Sequence, residues 1–236
     1  MSSRRRLVVL FGGRSAEHDV SCVSARHVLA AANPDRYELI PIGIDREGRW
    51  AYADAAADAL AAGNLPDRLD PTGTTWDPLP RLAELAAQAG PDAEPGSLIV
   101  FPLVHGPLGE DGTLQGLLEL ADVPYVGSGV LGSALAMDKQ RSKQLWQGIG
   151  LATAGFEMLQ ADSDWDALIS RLGKVFVKPT CEGSSIGMAP AATADALRQA
   201  YLVASEYGGG VLAEQFIDGP EYTVAILGDQ VLPSIR

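Results

Sequence analysis

The stretch that decides the fold is residues 7–19, which read LVVLFGGRSAEHD. Residues 7–11 form an apolar run without polar alternation, which is typical of a strand buried on both faces of a parallel sheet. The glycine pair at 12–13 ends that strand. Ser15 is a candidate helix N-cap, and the acidic residues Glu17 and Asp19 suit the positive end of a helix dipole. The stretch therefore predicts a strand, a tight turn and a helix.

Working outward, the same alternation of strand and helix continues through the first half of the chain. Residues after the turn recur with helical spacing along one face, at Val20, Val23, His27 or Val28, and Ala31. Further strands are predicted at 37–44 and 97–104, and strand, helix, strand is the order of a parallel sheet. Residues 53–96 are rich in Ala, Asp, Pro and Gly and are interpreted mainly as surface connection, with one helix at 81–89.

The second half has a different pattern, with short strands between amphipathic helices. Helices are predicted at 131–137 and 140–147, and two more follow the N-cap candidates Ser163 and Thr193. Strands are predicted at 174–178, 186–189, 211–217, 222–227 and 231–235. The fold class is therefore α/β followed by α+β: a parallel-sheet domain, then a mixed antiparallel sheet with helices on one face.

Composition excludes several classes of protein. The chain has 236 residues, 47% of them hydrophobic, and a formal net charge of −12. This balance is globular and argues against nucleic-acid partners, which need a basic face. Cys22 and Cys181 have no metal-type spacing and are typical of a reducing compartment. No apolar run approaches the ~20 residues of a membrane span, so we expect a cytoplasmic protein without membrane association.

Two candidate site residues follow predicted parallel strands, at the sheet edge where ligands usually bind. Glu17 follows the glycine pair, and His105 begins the glycine-rich run of residues 105–112. The residues alone leave alternatives open. Glu17 could simply complement the helix dipole, and His105 could be a hydrogen-bonded structural histidine.

A second set of candidates has the chemistry of nucleotide binding. Lys178 ends a strand before the loop at 182–187, whose amides, hydroxyls and glycines could grip phosphate, although the loop lacks the Gly-Lys-Ser/Thr of a P-loop. Residues 214–217 could border a purine, and the Glu221 carboxylate could accept ribose hydroxyls. The open alternatives are a solvated surface hairpin and an ordinary turn with an exposed glutamate.

Seven short motifs then occur together and in order. They are GGRSAEHDVS at 12–21, HGPLGEDG at 105–112, PYVGSG at 124–129, MDK at 137–139, VKP at 177–179, EGSS at 182–185 and GPEYT at 219–223. In this order and spacing the chain resembles the D-alanine–D-alanine ligase family of the ATP-grasp superfamily. The resemblance runs from Leu7 to Arg236 and is weakest at 53–96.

The resemblance implies a role for each candidate at the amino-acid site. Glu17 would hold the ammonium of the first D-alanine, and His105 would lie near the same substrate. Ser184 would belong to the hydrogen-bonded group that includes Glu17. Glu17 and Ser184 are thus the implied catalytic residues.

The resemblance also implies an ATP site. Lys139 and Lys178 would contact the phosphates, and Glu182 and Ser185 belong to a loop that closes over the nucleotide. The residues that would border the adenine and take the ribose are Glu214, Gln215, Phe216, Ile217 and Glu221. The implied domains are an N-terminal substrate domain at 1–127, a central ATP-grasp subdomain at 128–213, and the start of a C-terminal ATP-grasp subdomain at 214–236.

The implied reaction joins two D-alanine molecules through an acyl phosphate, for peptidoglycan precursors and hence cell-wall growth and cell shape. Two alternatives stay open, a ligase that uses D-lactate as second substrate and a nucleotide-binding module without activity. The resemblance implies a homodimer at full length and Mg²⁺ ligands beyond residue 236, with no metal ligands within this chain. Because the sequence stops at Arg236, we expect an N-terminal fragment that is inactive alone.

Overall fold

The structure is a computed structural model that describes residues 4–89 and 97–236. The predicted connection at 90–96 lies outside the described residues. The chain divides into two compact units. The first unit comprises Met1–Leu145 with Thr180–Ile186, and the second comprises Trp146–Pro179 with Gly187–Arg236.

The first unit is built on a five-stranded sheet with a parallel centre. Its strands are β1 (Arg5–Gly12), β2 (Tyr37–Ile44), β3 (Trp50–Tyr52), β4 (Thr74–Thr75) and β5 (Leu98–Pro102), in the order β4-β3-β2-β1-β5. The central strand β1 pairs in parallel with β2 and with β5, which confirms the predicted parallel sheet. The short strands β3 and β4 add an antiparallel edge.

Both faces of β1 are buried, as its unbroken apolar run predicts. Val8 and Leu10 pack into one core cluster together with Ile42, Val100 and Leu118. Val9 and Phe11 point to the opposite face and pack with Leu29 and Leu69 among others. Near the sheet edge, Trp50 stacks on Trp76 with ring centroids 5.6 Å apart and an interplanar angle of 12°.

The first four helices of this unit pack on the sheet. In chain order, the helices are α1 (His18–Ala31), α2 (Asp54–Ala61), α3 (Pro78–Ala89), α4 (Thr113–Leu120), α5 (Val130–Met137) and α6 (Lys139–Gly148), the last of which begins in the first unit. The helix α2 was not predicted, because its alanine-rich sequence has weak periodicity. Among the helices of the described ranges, none is long and apolar enough to cross a membrane.

Two details of α1 differ from the prediction. Ser15 is not its N-cap: Glu17 holds that position, and the Ser15 hydroxyl instead accepts a hydrogen bond from the Glu17 amide. The buried face was predicted only in part, because Val20 is 55% exposed whereas Ser21, which was not predicted to be buried, is fully buried. Small residues let the helix approach the sheet closely, and hydrophobicity alone does not show this.

The second unit holds a four-stranded antiparallel sheet. Its strands are β6 (Phe156–Leu159), β7 (Val175–Pro179), β8 (Ala189–Ala191) and β9 (Val211–Gln215), in the order β6-β9-β7-β8. Helices α7 (Trp165–Leu172) and α8 (Ala194–Ser205) pack against Val175 and Val177 of β7 in one buried cluster, to which α8 contributes Leu197. The ring centroids of Trp165 and Tyr201 lie 5.4 Å apart. Strands β10 (Ile226–Leu227) and β11 (Gln230–Val231) form a separate hairpin.

Of the two predicted helix N-caps in this unit, one is confirmed and the other is wrong. Thr193 caps α8 as predicted, with its hydroxyl accepting from the Ala196 amide at 3.2 Å. The predicted cap Ser163 is wrong, because the Asp164 carboxylate accepts from the Ala167 amide at 3.0 Å. The strand predicted at 186–189 begins at Ala189, and β6 was not predicted.

Candidate functional site

The turn between β1 and α1 places Glu17 at the carboxyl end of the sheet. Gly12 and Gly13 have φ values of +90° and +102°, and a Cβ on Gly12 would lie 2.1 Å from the carbonyl oxygen of Ile44. Only glycine fits there. The Gly13 amide donates to the same carbonyl at 2.8 Å, so the turn is fixed to β2 before the chain reaches Glu17.

The Glu17 carboxylate meets a loop that is distant in sequence. The Ser184 hydroxyl donates a short hydrogen bond to Glu17 Oε1, across 167 residues. The glycines beside the carboxylate leave it room: a Cβ on Gly183 would lie 3.5 Å, and one on Gly106 3.7 Å, from Glu17 Oε2. Two backbone segments therefore approach one carboxylate.

The loop 180–186 is held in the first unit by Lys139 as well. The Lys139 ammonium donates to the carbonyl of Glu182, and the Lys139 amide donates to the carbonyl of Thr180 at 2.9 Å. Ser184 and Ser185 adopt positive φ values of 46° and 62°, which are costly for residues with a Cβ. The structure thus brings together the predicted residues Glu17, Lys139, Glu182, Ser184 and Ser185.

The turn that follows β5 contains His105 in a partly buried position. Its Nδ1 lies 3.9 Å from Glu110 Oε1, and the other carboxylate oxygen of Glu110 accepts from the Gly106 amide at 2.7 Å. His105 Nε2 is buried and has no hydrogen-bond partner among the described residues. Since buried ring nitrogens normally have a partner, this atom is available to a ligand.

Asp111 stabilises the same turn. Its carboxylate accepts from the amides of Leu108 at 2.9 Å and Thr113 at 3.0 Å. Burial opposes ionisation, but these hydrogen bonds outweigh it and lower the pKa of Asp111. Glu110 and Asp111 were predicted only as members of the glycine-rich run, without separate roles. The sequence does not show the hydrogen bonds within a turn, because these depend on how its backbone runs.

The second unit presents a polar sheet face. The Lys178 ammonium on β7 forms an ion pair with Glu214 Oε1 on β9 at 2.7 Å, and each side chain is 20% exposed. Glu214 is the register partner of Phe176, so the pair is diagonal across the two strands. Lys178 and Glu214, for which the resemblance implies phosphate and adenine contacts, are therefore neighbours.

Aromatic rings continue this face next to the ion pair. Phe216 stacks on Phe176 with centroids 6.1 Å apart, and Lys174 Nζ lies 3.6 Å from the centroid of the Phe216 ring. Lys174 and Phe176 were not among the predicted site residues. Period-two alternation could have found them, because Lys174, Phe176 and Lys178 alternate with the buried residues Val175 and Val177.

The other predicted nucleotide residues lie at or beyond the end of β9. Gln215 is exposed, and its amide donates to the carbonyl of Gly155 at 2.8 Å. Ile217 is 70% exposed, and Glu221 lies in an exposed segment outside the strands. The structure does not gather these three side chains into a cluster with Lys178.

A metal ion would need several carboxylate, imidazole or thiolate ligands close together. Within residues 4–89 and 97–236, no three or more His, Cys, Asp or Glu side chains form a group that could hold a metal ion. The prediction that the Mg²⁺ ligands lie outside this chain stays a prediction.

Two solved structures that are similar to this chain are of ligases. The D-alanine-D-alanine ligase from Coxiella burnetii superimposes with a TM-score of 0.72 at 29% identity, covering 92% of this chain and 65% of that one. The VanG D-Ala:D-Ser ligase from Enterococcus faecalis gives 0.74 at 31% identity, covering 98% and 68%. The chain thus shares the fold of these two proteins, which is consistent with an ATP-grasp type of architecture.

The particular family follows from the sequence comparisons. The family model described as "D-ala D-ala ligase N-terminus" matches residues 6–128, and the one described as "D-ala D-ala ligase C-terminus" matches residues 145–235. The chain belongs to the D-alanine–D-alanine ligase family.

Two curated relatives show how much of such a protein is covered. The D-alanine--D-alanine ligase of Chromohalobacter salexigens is 43% identical over 239 residues, which cover 100% of this chain and 63% of the relative. That of Nocardia farcinica is 46% identical over 237 residues, covering 96% and 65%. The chain therefore spans a little under two thirds of the length of these relatives.

Proposed function

We propose that this chain supplies the first amino-acid site and much of the ATP site of an enzyme that ligates two D-alanine molecules to D-alanyl-D-alanine. The observation that carries the proposal is the hydrogen bond from Ser184 to Glu17. It joins the carboxylate at the end of a parallel sheet to a glycine- and serine-containing loop of the kind that grips phosphate. This contact supports a site in which the substrate and the nucleotide phosphates meet at one point of the first unit.

In the proposed mechanism, Glu17 binds the ammonium of the first D-alanine. A carboxylate has about four acceptor positions, so accepting from Ser184 leaves positions for an ammonium. Charge-assisted hydrogen bonds of this type are about twice as strong as neutral ones. His105, whose Nε2 is buried and without a partner among the described residues, would contact the same amino acid.

Lys139 and Lys178 would neutralise the ATP phosphates. The D-alanine carboxylate attacks the γ-phosphorus and releases ADP, which leaves an acyl phosphate. The amine of a second D-alanine then attacks the carbonyl carbon, and inorganic phosphate departs. The loop 180–186 would exclude water, which otherwise hydrolyses the acyl phosphate.

On the sheet face of the second unit, Lys178 would reach the phosphates while Phe176 and Phe216 offer apolar surface to the adenine. Glu214, Gln215 and Ile217 would border the purine. Glu221 would accept from the ribose hydroxyls. The product would serve peptidoglycan synthesis in the cytoplasm, and the full-length enzyme would use Mg²⁺ and form a homodimer.

The test is product identity in the full-length protein. With Mg-ATP and D-alanine, we expect phosphate release that depends on D-alanine and a product with the mass of the dipeptide. Offering D-alanine together with D-lactate or D-serine reveals the second substrate, since D-lactate gives an ester. Phosphate release that does not depend on D-alanine would refute the proposal.

A further inference from the structure

Ser21 lies under the amino-acid site, on the face of α1 that meets the sheet. It is fully buried, with 0% of its surface exposed. Its hydroxyl donates to the carbonyl of Leu103 at 2.5 Å and accepts from the amide of Gly12 at 2.8 Å. One side chain thus uses both its donor and its acceptor on backbone groups of two different strand ends.

Those two backbone groups lie where the parallel ladder ends. The register of β1 with β5 stops at Leu10 and Pro102, and the Leu103 amide makes one more bond, to the Leu10 carbonyl at 2.7 Å. Beyond that point Gly12 and Leu103 are joined through the Ser21 hydroxyl rather than to each other. Ser21 therefore continues the connection between the strands by two residues on the β1 side and by one residue on the β5 side.

The same two strand ends lead directly to the proposed substrate residues. Glu17 follows Gly12 by five positions and His105 follows Leu103 by two. The Ser21 amide also donates to the Glu17 carbonyl at 2.9 Å, in the first turn of α1. Ser21 is thus bonded to β1, to the segment after β5 and to Glu17 itself.

A second side chain of α1 supports the turn at the next residue. His18 is buried, and its Nδ1 lies 2.6 Å from the carbonyl oxygen of Gly13. Because a carbonyl only accepts, Nδ1 carries the proton. His18 fixes Gly13 alone, however, whereas Ser21 connects β1 with β5.

We propose that Ser21 is a positioning residue that sets the spacing between Glu17 and His105 and thereby the affinity for the first D-alanine. This inference rests on the proposed function. Removing the hydroxyl leaves a buried amide and a partly buried carbonyl without this partner, and such groups recover their hydrogen bonds by moving or by admitting water. Either response moves the two strand ends apart.

The experiment compares Ser21→Ala with Ser133→Ala in the full-length protein. Ser133 is a matched control, since it is buried in the same unit and its hydroxyl donates to a backbone carbonyl, that of Ser128, at 3.3 Å. We expect Ser21→Ala to raise the KM for the first D-alanine about tenfold, which corresponds to about 1.4 kcal/mol, with the KM for ATP within about twofold. Ser133→Ala should change neither value.

Amide hydrogen exchange provides a readout that does not depend on activity. The Gly12 amide should exchange faster in Ser21→Ala than in the wild type, and at the wild-type rate in Ser133→Ala. Ser21→Cys nearly conserves the side-chain volume but hydrogen-bonds weakly, so its Gly12 amide should exchange at an intermediate rate. This variant replaces Ser21→Ala in the experiment if the alanine variant does not fold.

The outcomes separate the two proposals. Unchanged exchange at Gly12, or equal changes in the KM values for D-alanine and ATP, overturns the role of Ser21. A wild-type enzyme without D-alanine-dependent turnover refutes the proposed function instead, and the exchange rates then decide on their own whether Ser21 holds the strand ends.

Discussion

The two polar regions of this chain are built in opposite ways. In the first unit, Glu17 and Ser184 come from positions 167 residues apart and meet through a loop. In the second unit, Lys178, Phe176 and Glu214 lie on adjacent strands of one sheet, placed by antiparallel register. One region depends on tertiary contacts of a loop, and the other on the regular geometry of a sheet.

This difference predicts how each region responds to side-chain substitutions. A loop contact with two serines at positive φ is maintained by few bonds, so the loss of one partner releases the loop. A sheet face keeps its geometry when one side chain is removed, because the backbone ladder holds the register. Substitutions should therefore alter substrate use in the first region and ligand charge preference in the second.

The largest expected effect is that of Glu17→Gln on D-alanine use. The amide keeps the size of the side chain but removes the charge that an ammonium needs. Losing a hydrogen bond to a charged group costs about 1.5–3 kcal/mol, so kcat/KM for the first D-alanine should fall about tenfold to a hundredfold. Steady-state kinetics in the full-length protein, with ATP affinity measured by calorimetry, check this.

Glu84→Gln is the matched control for this prediction. Glu84 pairs with Arg81 at 2.8 Å on the exposed face of α3, so its neutralisation should leave both substrates unaffected. Equal losses of ATP binding and D-alanine use in Glu17→Gln would erase the distinction between the two regions.

A smaller effect is expected for Lys178→Ala in the second region. The ammonium is assigned to the phosphates, so ATP should bind about tenfold more weakly, whereas adenosine should bind within about twofold of the wild type. The aromatic surface of Phe176 and Phe216 is retained in this variant. Calorimetric titrations with both ligands make the comparison.

Arg171→Ala removes a cation from the same unit without touching the proposed site. Arg171 forms two hydrogen bonds with Glu157, at 2.9 and 2.8 Å, and both side chains are partly exposed. The Arg171→Ala variant should bind ATP and adenosine with wild-type affinities. If Lys178→Ala weakened both ligands equally, the sheet face would recognise the nucleoside rather than its charge.

The smallest expected effect concerns the helix that carries Glu17. Burial, with a further contribution from Asp19, raises the pKa of the Cys22 thiol from 9.0 to about 11. The folded state therefore keeps the proton between pH 9 and 11 while the unfolded state loses it, so stability falls as pH rises through that window. Wild type should lose about 1 kcal/mol more than Cys22→Ala between pH 8 and 10.

Urea unfolding at the two pH values measures this difference. Both cysteines belong to the first unit, so a thiol-linked pH dependence reports on that region. Parallel curves for wild type and Cys22→Ala would show that the interface between α1 and the sheet is open to water.

Much of the fold could be predicted because the apolar run of β1 and the glycine pair after it carry strong local signals. Thr193 capped α8 as predicted, because its hydroxyl acts within its own helix turn. The buried face of α1 could not be found in the same way. It includes Ser21, which tertiary contacts bury even though Val20 and Val23 are more hydrophobic and are exposed.

The candidate residues of the site that could be predicted are those that lie within the sequence motifs. The resemblance implied a group containing Glu17 and Ser184, and the two are bonded in the structure. The ion pair between Lys178 and Glu214 was not foreseen, since it depends on which strands are neighbours in the sheet. The role proposed for Ser21 needs three-dimensional knowledge of two strand ends, which no local pattern contains.

The stacked pair of Trp50 and Trp76 has a consequence for spectroscopy. Two indoles 5.6 Å apart are close enough to couple their electronic transitions, so the near-ultraviolet circular dichroism of the pair changes when the rings separate. Trp165, 5.4 Å from Tyr201, instead accepts energy from the excited phenol ring. The first unit thus carries a near-ultraviolet circular-dichroism signal by which the separation of this ring pair on melting can be followed in an unlabelled sample.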